Sequence, residues 1–392
     1  MSAGRMRCLC HGHQRCSYSG IHGKTEPVTI NMGKSVRKYI CALILLGLNG
    51  AAMILFHRYS AFFFPAYRQI SKTWISWLAR LASFSPIAVW DIAATLLIVL
   101  IIVSLIHLIH RHGQFAAWLS TVFLCFSVLV TATVCGWMLN HYAGPLAAEL
   151  GYEIRLYSEE ELYETCDYFL LQAAHYAPDI PRDADNHLKP NDFYSLAKMA
   201  GSAYTGLGQK YTVLQGTDLP VKKLSLIGEY LMYNGIIGIF MPLTGEAGVP
   251  ASVPPAVMPF TMAHEAAHRL GIASEEEANF AAFLACVNSR ETALLYSGYY
   301  EAFSYCFASL YRYNPVLALI LYNNHDELPG ISLVKQDRLD TAAIYKTYES
   351  SLQDFSDKIN DTYLKAFSQE SGIRSYGEVT NDLIAWYIES RE

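Results

Sequence analysis

The residues with the clearest capacity for chemistry are His264, Glu265 and His268, which form the pattern His-Glu-x-x-His. On a helix, side chains four positions apart lie on one face, so both imidazoles can reach the same Zn²⁺ ion. The glutamate beside the first histidine can then activate a water as a general base. The pattern therefore predicts a catalytic zinc centre with His264 and His268 as ligands.

A catalytic zinc ion also needs a third protein ligand and an open fourth position. The acidic run Glu275, Glu276, Glu277 follows the histidines closely and offers carboxylates for that role. With Ala278 and Asn279, the run resembles the Glu-x-x-Ala-Asn segment of glutamate-type zincins. That resemblance implies Glu275 as the metal ligand and Asn279 as a support for a ligand histidine. Glu276 remains an alternative ligand, and glutamates at a helix start can also simply complement the helix dipole.

The flanking residues predict a helix, a tight turn and a second helix. Thr261 suits the N-cap of the first helix, and residues 262–270 contain no helix breaker. Gly271 can end that helix in a left-handed conformation. Ser274 then suits the N-cap of the second helix, with Glu277 completing a capping box. Such a turn brings the acidic run back toward the histidines.

The composition places the first third of the chain in a membrane. Only 16% of the 392 residues are charged, against roughly 25% in soluble domains. Apolar runs at residues 39–56, 88–109 and 115–139 are long enough for membrane-spanning helices, which need about 20 residues. We therefore predict a multi-pass membrane domain at 37–139, a disordered polar tail at 1–36 and a catalytic domain at 140–392.

Basic residues before the first span set the expected orientation. Lys34, Arg37 and Lys38 favour an N-terminus on the cytoplasmic side, and three spans then place the catalytic domain outside the cell membrane. Residues 57–86 read as the one long loop between spans. Within that loop, residues 69–81 fit an interfacial amphipathic helix, an ordinary hairpin with an aromatic belt, or a cover over the active site.

The rest of the sequence indicates neither a nucleic-acid site nor a second zinc site of a common type. The net charge is −6, and no basic patch with interleaved aromatic residues indicates nucleic-acid binding. Cysteine and histidine residues at 8–16 match no common zinc module, and residues 1–31 are also consistent with a mis-assigned start. Cys286 lies on the same helical stripe as Glu275 and reads as a buried core thiol.

The domain at 140–392 is predicted to be α+β and mostly helical, with a small sheet before the motif. Ser158 and Glu161 form a capping box that opens a helix to about Tyr176. Further helices are expected at 190–201, 291–313 and 340–367, and a last one capped by Ser375. Residues 222–227 and 235–241 have the composition of strands. Residues 244–249 are predicted to form the edge strand on which an extended peptide adds by β-pairing.

Hydrolytic zincins usually use a tyrosine or histidine to stabilise the oxyanion. Among many tyrosines, Tyr376 and Tyr299 are the candidates named here, with Tyr376 placed first. In a chain this rich in tyrosine, any single tyrosine is more often an ordinary core or surface aromatic residue than a catalytic one.

Several segments resemble an uncharacterised bacterial membrane-protein family, domain of unknown function 3810. The similar segments are residues 238–271, which contain the histidines, EEEANFAAFLAC at 275–286, SYGEV at 375–379, WMLNHYAGPLAAELG at 137–151 and SPIAVWDI at 85–92. Together they cover nearly the whole chain after about residue 37. The resemblance implies a zincin-like fold and the reaction class of zinc metallopeptidases, without a substrate. EEEANFAAF is also similar to the third-ligand segment of soluble zincins that cleave repressors.

The sequence thus predicts a membrane-anchored zinc metallopeptidase of the glutamate-zincin type. Zn²⁺ is held by His264, His268 and Glu275, and Glu265 is the general base. The expected partners are the lipid bilayer and a polypeptide substrate near it; the sequence gives no oligomeric state. The alternatives are a zinc-dependent signalling sensor with one dedicated protein partner, a hydrolase of cell-wall peptides, and a non-catalytic scaffold with structural zinc.

Overall fold

The computed structural model describes residues 28–110, 115–190, 192–350 and 379–391, with side chains from Gly33 onward. The cysteine and histidine tract at 8–16, the cap at Ser375 and the candidate Tyr376 lie outside these residues, as does the second half of the helix expected at 340–367.

Three N-terminal helices are long and apolar enough to cross a membrane. They are α1 (Val28–Ala82), α2 (Val89–His110) and α3 (Phe115–Gly136). Each contains one of the three apolar runs, except for residue 88 of the second run and residues 137–139 of the third. α1 begins at Val28, inside the segment expected to be a disordered tail. The chain is therefore built to associate with a membrane.

The expectation of a long loop at residues 57–86 is wrong, because α1 continues as a helix to Ala82. The helix turns at Tyr59, whose φ of −135° and ψ of 34° are not helical, and it contains Pro65. Beyond the turn, one face is buried at helical spacing, and this packing stabilises the helix despite its proline. The buried residues are Phe64, Tyr67, Ser71, Ile75, Ala79 and Ala82.

The rest of the described chain is mostly helical. A five-residue 3-10 helix (Met138–Tyr142) follows α3 directly. The predicted capping box of Ser158 and Glu161 is formed at the start of α5 and is confirmed. The α-helices are α4 (Leu146–Leu150), α5 (Glu159–Tyr176), α6 (Phe193–Ser202), α7 (Tyr204–Lys210), α8 (Gly228–Tyr233), α9 (Met258–Arg269), α10 (Glu275–Val287), α11 (Thr292–Tyr313), α12 (Pro315–Asn323), α13 (Pro329–Thr347) and α14 (Val379–Glu389).

A small sheet precedes α9. Its strands are β1 (Lys222–Leu224), β2 (Ile239–Met241) and β3 (Glu246–Pro250), in the order β1-β3-β2. β3 pairs in parallel with β1 and antiparallel with β2. The prediction of an edge strand at 244–249 is wrong, because Gly248 of β3 pairs with Lys222 on one side and Ile239 on the other. Both edges of β3 are occupied, so no peptide can add to it.

Hydrogen bonds of two carboxylates join the start of α2 directly to the sheet and to residues 225–227. The buried carboxylate of Glu246 in β3 accepts hydrogen bonds from the backbone N–H groups of Val89 (2.9 Å) and Trp90 (3.0 Å) at the start of α2. Asp91 in turn accepts from three N–H groups at residues 225–227. Each carboxylate occupies a helix or loop end where free N–H groups favour negative charge.

Candidate metal centre

The helix that carries the histidines begins earlier than its sequence indicates. α9 starts at Met258, with Val257 at the N-cap position, so the prediction that Thr261 is the N-cap is wrong. The Thr261 hydroxyl instead donates to the Val257 carbonyl at 3.1 Å, inside the first turn. Gly271 does end the helix with a φ of +86°, which confirms the predicted left-handed turn.

The following helix, α10, is capped differently from the prediction. Ser274 occupies the N-cap position, but its side chain makes no capping hydrogen bond. Glu277 reaches instead to the N–H of Leu146, at the start of α4, with an Oε1–N distance of 3.0 Å. The capping box of Ser274 and Glu277 is therefore wrong, because a tertiary N–H group takes the carboxylate that a local cap would use. Burial raises the pKa of Glu277 to about 8, although that hydrogen bond opposes the rise.

The turn between α9 and α10 brings His264, His268 and Glu275 together. The two Nε2 atoms lie 3.1 Å apart. Glu275 Oε2 lies 3.1 Å from His264 Nε2 and 3.7 Å from His268 Nε2. Donor atoms bound tetrahedrally at about 2.0–2.1 Å from one zinc ion are separated by roughly 3.3 Å. These three side chains therefore have the donor types and spacing of a zinc site, and Glu275, not Glu276, completes the cluster.

Hydrogen bonds orient both imidazoles with Nε2 toward the centre of the cluster. His264 Nδ1 lies 2.8 Å from Asn279 Oδ1, and His268 Nδ1 lies 2.7 Å from the Ile272 carbonyl. Each Nδ1–H donates to its acceptor, which leaves Nε2 as the lone-pair atom that a metal requires. The predicted hydrogen bond between Asn279 and one of the two histidines is present.

The pKa values of His268 and Glu275 depend strongly on the charges of their neighbours in the cluster. Burial lowers the pKa of His268, but the Glu275 carboxylate outweighs this effect and the pKa rises to about 9. Burial likewise opposes ionisation of Glu275, yet the two histidines hold its pKa well below its usual range. The cluster thus keeps a carboxylate ionised in a buried position, and a cation can replace the proton held by His268.

Glu265 is not one of the three clustered side chains, but its carboxyl group interacts electrostatically with all of them. Burial raises its pKa to about 7, against the lowering effect of both histidines. Its Oε2 atom is buried and has no hydrogen-bond partner among the described residues. A buried carboxylate oxygen without a partner is costly unless a ligand or water completes it. A carboxyl group with a pKa near neutrality can both accept and return a proton.

Gly238, just before β2, leaves the space that Glu265 occupies. A Cβ atom at this position would lie 2.3 Å from Glu265 Oε1. We expect Gly238→Ala to displace the carboxylate and to lower any hydrolytic turnover by about 10²-fold or more, because misplacement of a catalytic group by 1 Å is that costly. Zinc content should not change, because the clustered side chains are not moved.

The matched control is Gly206→Ala in α7, where a Cβ meets nothing within 4 Å. Turnover should be measured beside metal content for both variants. Equal activity of Gly238→Ala and wild type would show that Glu265 does not need its present position.

The structure adds three aromatic residues that the sequence did not point to. Trp137, directly after α3, donates from Nε1 to the His268 carbonyl at 3.0 Å. Its ring packs edge-on against both His141 and His268, with centroids 5.7 and 5.9 Å apart. Phe240 of β2 also contacts Trp137, at 5.2 Å. Burial lowers the pKa of His141 to about 4, and the charge of His268 lowers it further while Glu275 opposes both.

Two other predicted residues lie away from the cluster. Tyr299 belongs to the aromatic core, stacked on Tyr176 with ring centroids 5.9 Å apart, and is not brought to the metal centre. Cys286 is fully buried, which confirms the predicted core thiol. Trp137 and His141 lie in the segment 137–151, one of the segments that resemble the family. The aromatic residues of this segment were the sequence signal that could have pointed to these two side chains.

Comparison with known proteins identifies the family of this chain. The family model described as "Protein of unknown function (DUF3810)" matches residues 59–384. No curated protein and no solved structure matches the chain. Since the match covers most of its length, the chain belongs to the DUF3810 family.

Proposed function

We propose that this member of the DUF3810 family is a zinc metallopeptidase that hydrolyses peptide bonds. One observation carries the proposal: His264, His268 and Glu275 converge with zinc-ligand spacing, and the buried Glu265 interacts electrostatically with all three and has an oxygen without a hydrogen-bond partner among the described residues. A zinc ion held there would supply Lewis-acid activation of water and carbonyl. A zincin-like fold for the domain forms part of the same proposal.

The role of Glu265 follows from its surroundings. Its raised pKa suits a base that takes a proton from the attacking water and an acid that returns it to the leaving amine. Burial excludes competing water, and the approach of Gly238 fixes the side chain in one position. A structural zinc site would fill all four positions with protein ligands and would have no use for this oxygen, which disfavours the scaffold alternative.

The substrate path differs from the one expected from the sequence. β3 is central, but β2 has no strand on its outer side among the described residues. β2 begins one residue after Gly238, which touches Glu265, so its outer edge leads into the site. We therefore place an extended polypeptide along β2, where backbone hydrogen bonds bind it without regard to its sequence.

Removal of the metal tests the proposal directly. Full-length protein in lipid nanodiscs, incubated with an unfolded protein such as reduced casein, should produce fragments whose formation stops after treatment with a zinc chelator. Addition of zinc should restore the rate, because the ligands are preorganised by Asn279 and Ile272. Mass spectrometry of the fragments gives the readout. Metal-loaded protein that leaves the casein intact would count against a general peptidase and favour the sensor alternative.

His141 is the side chain that we place opposite the developing negative charge. The ring of Trp137 packs edge-on against both His141 and the proposed ligand His268, which places His141 beside the site. Loss of one oxyanion donor typically costs about 10²–10³ in kcat. We expect His141→Ala to lose about that much kcat, with KM changed by only a few-fold and zinc retained. An unchanged kcat would return Tyr376 to first place.

A further inference from the structure

We propose that the second half of α1, residues 60–82, lies in the membrane surface between the bilayer and the metal-site domain. The substrates of the metal site would then be membrane-anchored polypeptides, cut close to their anchor. The placement of the helix stands on its own geometry, whereas the substrate class rests on the proposed peptidase function.

Hydrogen bonds to α3 show that α1 turns at this point. In the first half of α1, Lys38 Nζ donates to Thr121 Oγ1 and Asn49 Nδ2 donates to Thr131 Oγ1. The two helices therefore run parallel and rise by similar distances between these two contacts. Farther along, Ser71 donates to the Gly136 carbonyl. From Thr131 to Gly136, α3 rises about 7 Å, whereas a straight α1 would rise about 33 Å from Asn49 to Ser71. The second half of α1 therefore crosses over the end of α3 and does not continue along it.

The second half of α1 has two apolar faces. The buried face, already described, packs on α3, the segment after it and the metal-site domain. The other face exposes large apolar side chains, of which the last four are spaced by four, three and four residues along one helical stripe, with the first about two turns earlier. These exposed residues are Phe62, Ile70, Trp74, Trp77 and Leu81.

The chemistry of the exposed stripe fits a lipid surface. Trp74 and Trp77 stack on each other with ring centroids 5.4 Å apart, although both are about half exposed. Tryptophan concentrates at the level of the lipid headgroups, and basic side chains beside it meet the phosphates. Arg58 and Arg80 are exposed at the two ends of this segment. The stripe also continues directly from the membrane-spanning half of the same helix, so a bilayer is the surface within its reach.

The metal site lies directly above this level. Trp137 is the first residue after α3, and it bonds the backbone of the ligand His268. Ile75 of α1 packs in one cluster with Trp137 and Phe240. The ligands are therefore about one helix diameter, roughly 10 Å, from the end of a membrane-spanning helix. A polypeptide that reaches β2 and Glu265 must pass within that distance of the bilayer.

The placement of the helix is tested by tryptophan fluorescence in vesicles containing brominated phosphatidylcholine. Wild type is compared with Trp74→Phe/Trp77→Phe, and with Trp386→Phe in α14 as the matched control. The fluorescence lost in the double variant should be quenched more strongly by bromines at carbons 6 and 7 than at carbons 11 and 12. The component lost in Trp386→Phe should not be quenched. Absence of quenching for the first component, or stronger quenching by the deeper bromines, would overturn the placement.

The substrate class is tested with casein-derived peptides, either free or attached to a dipalmitoyl anchor, and full-length protein in the same vesicles. Anchored peptides should be cut at least about 10-fold faster, with the cuts clustered near the anchor, because the site reaches only roughly 10 Å. Equal rates for free peptide, or cuts spread along the anchored chain, would overturn the substrate class and leave the peptidase intact. If no peptide is cut, the peptidase function fails together with its substrate class, and the fluorescence still decides the placement.

Discussion

Glu265→Gln is expected to abolish peptide hydrolysis while the protein keeps its zinc. The amide has the same shape as the carboxyl group, so it fits the space beside Gly238, but it cannot accept the proton of the attacking water. Turnover should fall by about 10³-fold, in the middle of the range for loss of a general base. Zinc content should remain at the wild-type level, because Glu265 is not one of the clustered ligands.

Glu276→Gln is the matched control for this experiment. Glu276 has the same side chain and is the neighbour of Glu275 in the chain, but the structure does not bring it into the cluster. Its substitution should leave turnover within a few-fold of wild type. Retained hydrolysis in Glu265→Gln would remove Glu265 from the mechanism and with it the main support for the peptidase proposal.

Glu275→Ala is expected to release the metal. Its Oε2 atom lies 3.1 and 3.7 Å from the two histidine Nε2 atoms, and no other described carboxylate belongs to the cluster. Two neutral histidines alone hold zinc weakly, since catalytic sites use three protein ligands. After gel filtration with a weak chelator, wild type should retain about one zinc per chain and the variant almost none.

Two further variants separate a ligand from its supports. Glu276→Ala should keep the zinc, because the alternative ligand assignment is not the one formed in the structure. Asn279→Ala removes the acceptor of His264 Nδ1–H and should weaken zinc binding by about 10- to 100-fold without eliminating it. Zinc loss in Glu276→Ala together with retention in Glu275→Ala would reverse the assignment. The thermal unfolding transition of each variant should be recorded to confirm that the fold is intact.

The features of this protein that depend on local periodicity could be predicted from its residues alone. The spacing of His264 and His268 on one helix face, the left-handed turn at Gly271 and the cap at Ser158 all follow from short-range geometry, and all are present. The three apolar helices were equally clear, because a run of apolar side chains as long as a bilayer is thick has few other uses.

Other features could be read only from the folded structure, because each depends on contacts between residues that are distant in the sequence. Glu277 caps nothing locally, since the N–H of Leu146 takes its carboxylate. Residues 244–249 resemble an edge strand in isolation, but pairing on both sides buries β3 at the centre of its sheet. The aromatic stretch after residue 57 is helical because its buried face packs on α3 and the metal-site domain.

The position of the metal site relative to the membrane is the largest of these differences. In sequence, His268 is far from the end of α3, and nothing in the local pattern connects them. In the structure, Trp137 bonds the backbone of His268 and brings His141 beside the site. Local periodicity predicted that His264 and His268 share one helix face. Long-range packing and hydrogen bonding, which no short segment encodes, determined what surrounds the cluster of His264, His268 and Glu275 and where it lies.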